Sequence, residues 1–80
     1  MKLYLLKRLD DFSYDEYDSA IVAAKNADDA ETIHPSGRED EPTQGLYSTW
    51  TNQAFIDVTE IGTAKPGTKR GVILASFNAG

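Results

Sequence analysis

Hydrophobic and polar positions alternate with period two at both ends of the chain, and the middle breaks that rhythm. From Lys2 to Leu9 the side chains fall into two sets: Leu3, Leu5 and Leu9 with Lys7, and Tyr4 and Leu6 with Arg8. Such alternation with no helix cap predicts a strand over 2–9. Residues 10–18, DDFSYDEYD, read as a polar connection. The apolar run Ser19–Ala24 is too short for a buried helix, and Ile21-Val22 favour strand geometry. Residues 54–61 alternate again, with Ala54, Ile56 and Val58 against Phe55, Asp57 and Thr59. Residues 71–77, GVILASF, give the clearest strand signal, with Val72 and Leu74 on one side and Ile73, Ala75 and Phe77 on the other.

One helix interrupts the strands. Asn26 is placed as its N-cap, because its side-chain oxygen can accept from a first-turn amide. Asp28, Asp29 and Glu31 follow where the positive end of the helix dipole favours acids. Pro35 stops the helix at or before His34, leaving about two turns over 27–34. Ala27, Ala30 and Ile33 share one face and are expected to dock on the sheet. Residues 35–53 carry two prolines, two glycines and three consecutive acids, and read as a long irregular loop. Pro66-Gly67 marks a tight turn, which suggests that 54–61 and 71–77 pair as a hairpin.

These elements predict an α+β fold in a single domain spanning 1–80. It consists of a small antiparallel or mixed sheet of about four strands, in the order β-β-α-loop-β-β, with one short helix packed on one face. The expected core is Leu3, Leu5, Ile21, Ala23, Ala30, Ile33, Ile56, Val58, Ile73 and Phe77. The second face, with Tyr4, Leu6 and Val72 or Leu74, is then bare. A bare face in so thin a domain suggests a homo-oligomer.

Composition narrows the chemistry. Eighty residues hold no cysteine and one histidine, which excludes disulfides, thiol nucleophiles and multi-histidine or cysteine metal sites. Thirteen acids against eight bases give a net charge of −5, the wrong sign for sequence-independent binding to nucleic acid or an anionic membrane. No apolar stretch approaches the roughly 20 residues of a membrane helix. Phosphate-loop motifs are absent, and the acids at 10, 15 and 18 lack calcium-loop spacing. No catalytic residue, metal ligand or cofactor is assigned, and an enzyme is not expected.

What remains is surface. Acids cluster at 10–18 and again at 28–41, as solvated segments or as a face for a basic partner. Tyr14, Tyr17 and Trp50 fall in predicted connections, and such residues anchor interfaces, stack on planar ligands or cap a thin core. With Asp15, Asp18, His34 and Arg38 they form the candidate ligand- or partner-binding set. His34 itself is expected at a helix end, where an imidazolium would meet the last carbonyls.

The segments Tyr14-Asp15-Glu16-Tyr17-Asp18-Ser19-Ala20-Ile21-Val22-Ala23-Ala24, Ile33-His34-Pro35 and Gly71–Gly80 resemble a family of small accessory proteins of tailed bacteriophages and prophages. That family carries no established activity and contributes no catalytic residues. The resemblance implies a host bacterial cytoplasm and a role through stoichiometric binding. Three readings follow from it. One is an antagonist of a bacterial defence or host process that occupies a host protein. Another is a protein that sequesters a signalling nucleotide or other small molecule. The third is a structural or regulatory phage protein.

Overall fold

A computed structural model describes residues 1–10, 16–37, 49–51 and 55–78. Four strands and one helix follow in the order β1 (Lys2–Arg8), β2 (Glu16–Ala24), α1 (Ala27–Glu31), β3 (Ile56–Thr63) and β4 (Gly71–Asn78). The strands form one antiparallel sheet, ordered β3-β1-β2-β4. The α+β class with a four-stranded antiparallel sheet and a short helix therefore holds. β2 starts three residues earlier than the expected Ser19, taking in Glu16, Tyr17 and Asp18.

The expected β3–β4 hairpin does not form, since these strands occupy opposite edges of the sheet. The tight turn itself is present. Thr68 N–H donates to the Lys65 carbonyl at 3.1 Å, and Gly67 has φ 90°, with Pro66 ahead of it. This is the type II pattern, which needs a glycine at its third position. The turn sits inside a connection that crosses the end of the sheet. Ala64 N–H donates to the Met1 carbonyl at 3.0 Å, carrying the chain past β1. Three strand spacings amount to roughly 14 Å, well within reach of the segment between Thr63 and Gly71. β1 and β2 take the centre, where Tyr4, Leu6, Ala20 and Val22 are buried. β3 carries Asp57 and Glu60 and takes an edge, where Glu60 accepts from Lys2 Nζ at 3.2 Å.

The core lies on the opposite face from the one expected. Tyr4, Leu6, Ala20, Val22 and Ala24 are buried, with Leu6 and Val22 wholly shielded. They pack with Ala30, Ile33, Trp50 and Ile56, while Val58, Val72, Ala75 and Tyr17 flank the cluster. Of the expected core, Ala30, Ile33, Ile56 and Val58 are in place. Leu3, Leu5 and Ile21 are only half-buried, on the other face. Ala23 is fully buried but pairs with Leu3 and Gly71, outside the cluster. Ile73 and Phe77 are 52% and 43% exposed.

A register shift between β2 and β4 explains part of this inversion. Val22 faces Val72 and Ile21 faces Leu74, so Ile73 is an extra residue in β4. The bulge puts Val72 and Ala75 against the core and leaves Leu74 on the open face. Ile61 is likewise extra in β3, between Leu3↔Gly62 and Tyr4↔Glu60.

α1 is shorter than expected, and its cap is the one the sequence announces. Asn26 Oδ1 accepts from Asp29 N–H at 2.8 Å, and Asp29 Oδ2 accepts from Lys25 N–H at 3.2 Å. Helical structure ends at Glu31, with Thr32 as the C-cap. Ile33, His34 and Pro35 continue as a buried segment, closed by a turn in which Gly37 N–H donates to the His34 carbonyl at 2.9 Å. Most of the expected loop 35–53 lies outside the described residues, except 35–37 and 49–51.

Candidate functional site

Three features carry polar or exposed chemistry. The first is a buried charge. Arg8 belongs to the core side of β1, and its side chain is only 4% exposed. Its Nε and Nη2 donate to the two carboxylate oxygens of Asp10 at 2.8 and 3.0 Å. Nη1 donates to the Tyr17 carbonyl at 3.1 Å and lies 3.7 Å from Glu16 Oε1. Thr51 Oγ1 donates to Asp10 Oδ2 at 2.9 Å, and the guanidinium carbon sits 5.9 Å from the Trp50 ring centre. The hydrogen bonds from Arg8 hold the Asp10 carboxyl below its ordinary 3.8, and the Arg8 pKa rises in turn. This cluster fastens the end of β1, the start of β2 and the 49–51 segment together. Tyr17 N–H donating to the Thr49 carbonyl at 2.8 Å adds to it. Sequence reading missed Arg8, and the available signal was an Asp two residues beyond an Arg on an otherwise apolar strand face.

The second feature is a pocket at the other end of β2. It has a volume of about 380 Å³ and is lined by Thr32, Ile33, His34, Gly37, Arg70, Gly71 and Val72. Arg70 Nε donates to Asp29 Oδ1 and Oδ2 at 2.9 and 3.0 Å, and Nη2 donates to Thr32 Oγ1 at 2.7 Å. The Thr32 hydroxyl donates onward to the Asp29 carbonyl at 2.7 Å. Asp29 titrates below 3.8, first because of the Lys25 amide and then because of Arg70. His34 is buried, and its Nδ1 accepts from Ser36 N–H at 3.0 Å. His34 therefore lies beyond the helix, which ends at Glu31, and not at the expected helix end. His34 meets the Tyr17 ring edge-on at 6.0 Å, and Tyr17 meets Phe77 at 4.9 Å.

The third feature is the open face of the sheet. Leu74 is 64% exposed, beside half-buried Leu5 and Ile21. Two depressions of about 250 and 370 Å³ share Leu5, Ser19 and Ser76, so they run together across this face. Lys7 and Asp18 supply charge at one end.

Of the candidate set, the structure brings Tyr17 and His34 together. Trp50 is buried in the core beside Arg8, and Asp18 lines the open-face groove. Tyr14, Asp15 and Arg38 lie outside the described residues. Among the described residues no group of three His, Asp or Glu side chains is arranged to hold a metal ion, and no helix is long and apolar enough to cross a membrane. Comparison with known protein families, with curated proteins and with solved structures finds no match.

Proposed function

We propose that this chain is a non-enzymatic binding protein that acts by occupying the surface of another protein through the open face of its sheet. The observation that carries this reading is the exposure of Leu74, at 64%, beside half-buried Leu5 and Ile21. Contiguous apolar surface of this kind marks protein contacts. A net charge of −5 favours a partner with a basic surface, by steering and by complementarity. The phage resemblance supports a host protein in the bacterial cytoplasm as that partner, and inhibition of a defence or host process as the result.

The test is affinity capture from a bacterial lysate, run with the parent and with Leu74→Lys and Leu5→Lys. A specific host protein retained by the parent and lost by both variants, with unchanged circular dichroism, supports the reading. Equal retention by all three refutes it.

A second reading rests on the pocket beside His34. Its volume suits a small molecule, and the fixed Arg70 offers a positive group at its rim. Saturation at about 100 times Kd would add about 2.7 kcal/mol. A nucleotide panel that leaves the melting temperature unmoved rejects this reading.

A further inference from the structure

The two edges of the sheet are built differently. β3 carries Asp57 and Glu60, charges that discourage pairing with another strand, while each edge strand has one bulge, at Ile61 in β3 and at Ile73 in β4. β4, GVILASFN, contains no charged residue and no proline. Among the described residues none pairs with its outer side, because β2 occupies the inner one. Five of its eight residues are Val, Ile, Leu, Ala and Phe, and Ile73, Leu74 and Phe77 are exposed. An edge strand of this length without charge presents amide and carbonyl groups able to pair, on either side of its bulge.

We infer that β4 pairs antiparallel with β4 of a second copy of this chain, joining two four-stranded sheets into one of eight strands around a two-fold axis. Self-pairing places no like charges opposite each other, which pairing through β3 would do with Asp57 and Glu60. The flanking charges are complementary in this arrangement. Lys69 and Arg70 precede the start of β4, whereas Glu16 lies opposite Asn78 at its end and Asp18 lies nearby. Antiparallel pairing brings the start of one β4 beside the end of the other. Exposed Lys69 of one copy then stands about two strand spacings, roughly 10 Å, from Glu16 and Asp18 of the second copy, a span that long side chains bridge. The open face stays free and becomes continuous across both copies. This inference therefore does not depend on the proposed function.

Light scattering from roughly 1 µM to 1 mM reads the association directly, and a dimer is expected to appear within that range. A monomer throughout overturns the inference. Amide exchange measured above and below the transition is expected to slow within 71–78 and to stay unchanged within 56–63. A dimer whose β4 amides exchange at the monomer rate also overturns it. Ser76→Lys is expected to weaken the dimer at least about tenfold by placing a charge on each paired edge strand, while Leu5→Lys on the central strand leaves it intact. The reverse pattern identifies face-to-face packing and rejects edge pairing. Lys69→Glu should weaken the dimer, and adding Asp18→Lys should restore it. Should Ser76→Lys fail to fold, exchange in the parent chain still decides.

Discussion

Removing Asp10 should cost more stability than removing the arginine it neutralises. Arg8 is almost wholly enclosed, at 4% side-chain exposure, whereas Asp10 is 31% exposed. Asp10→Ala strips the guanidinium of both its short carboxylate bonds and leaves the Tyr17 carbonyl at 3.1 Å and Glu16 at 3.7 Å. Orphaning a buried charge costs about 3–5 kcal/mol. The remaining partners and the partial exposure of Asp10 reduce this to about 2–3 kcal/mol. Arg8→Met keeps an apolar stem in the core and frees a carboxylate that water can reach, so about 1 kcal/mol is expected. The whole chain should have only about 4–12 kcal/mol of stability. Urea unfolding followed by Trp50, the one tryptophan and buried at 2% exposure, reads both variants. With m near 1 kcal/mol/M, the midpoint should fall by about 2–3 M for Asp10→Ala and about 1 M for Arg8→Met. Equal losses, or a larger loss for Arg8→Met, would refute the argument that the buried partner dominates.

Further outcomes follow from the core, the caps and the carboxylates. Val22→Ala should cost about 1–3 kcal/mol because Val22 is wholly shielded, while Leu74→Ala on the open face should stay within about 0.5 kcal/mol. Thermal denaturation of the pair checks which face is core. Asn26→Ala removes the acceptor for Asp29 N–H and should cost about 1 kcal/mol, read as a melting-temperature drop of roughly 4–8 °C. Asp10 and Asp29 both titrate below 3.8 in the folded chain, so the unfolded chain binds protons first as pH falls. Their contribution is complete above the unfolded value and disappears as pH drops through the depressed folded values. Denaturant midpoints from pH 7 to 2 should therefore fall below about pH 4, and Asp10→Asn should flatten that fall.

Local chemistry was legible in the sequence wherever one residue type decides a backbone group. Asn26 capped the helix because its side chain can reach an amide three residues on. Pro66-Gly67 made its turn because proline presets one dihedral and glycine accepts φ 90°. The strands followed from period-two alternation, apart from the start of β2, where Glu16–Asp18 look like loop by composition but are held by pairing with Phe77 and Asn78. In the candidate site, Tyr17 and His34 were named and do meet. Arg70 was left out of the candidate set because its partner Asp29 lies 41 residues away, whereas Arg8 was left out although Asp10 lies only two residues on.

The sequence alone determined the four strands, the short capped helix, the absence of thiol chemistry and an acidic charge. Tertiary structure decided which face is inside and which strands are neighbours. Alternation divides residues 2–9 into Leu3, Leu5 and Leu9 on one side and Tyr4 and Leu6 on the other, and either set is apolar enough for a core. That choice is settled by what covers the sheet. Ala30, Ile33 and Trp50 close over Tyr4, Leu6 and Val22, with Arg8 neutralised at the margin by Asp10. Strand order was equally non-local. A turn between β3 and β4 states only that the chain reverses, while the pairing of β1 with β3 and of β2 with β4 sets the last two strands at opposite edges.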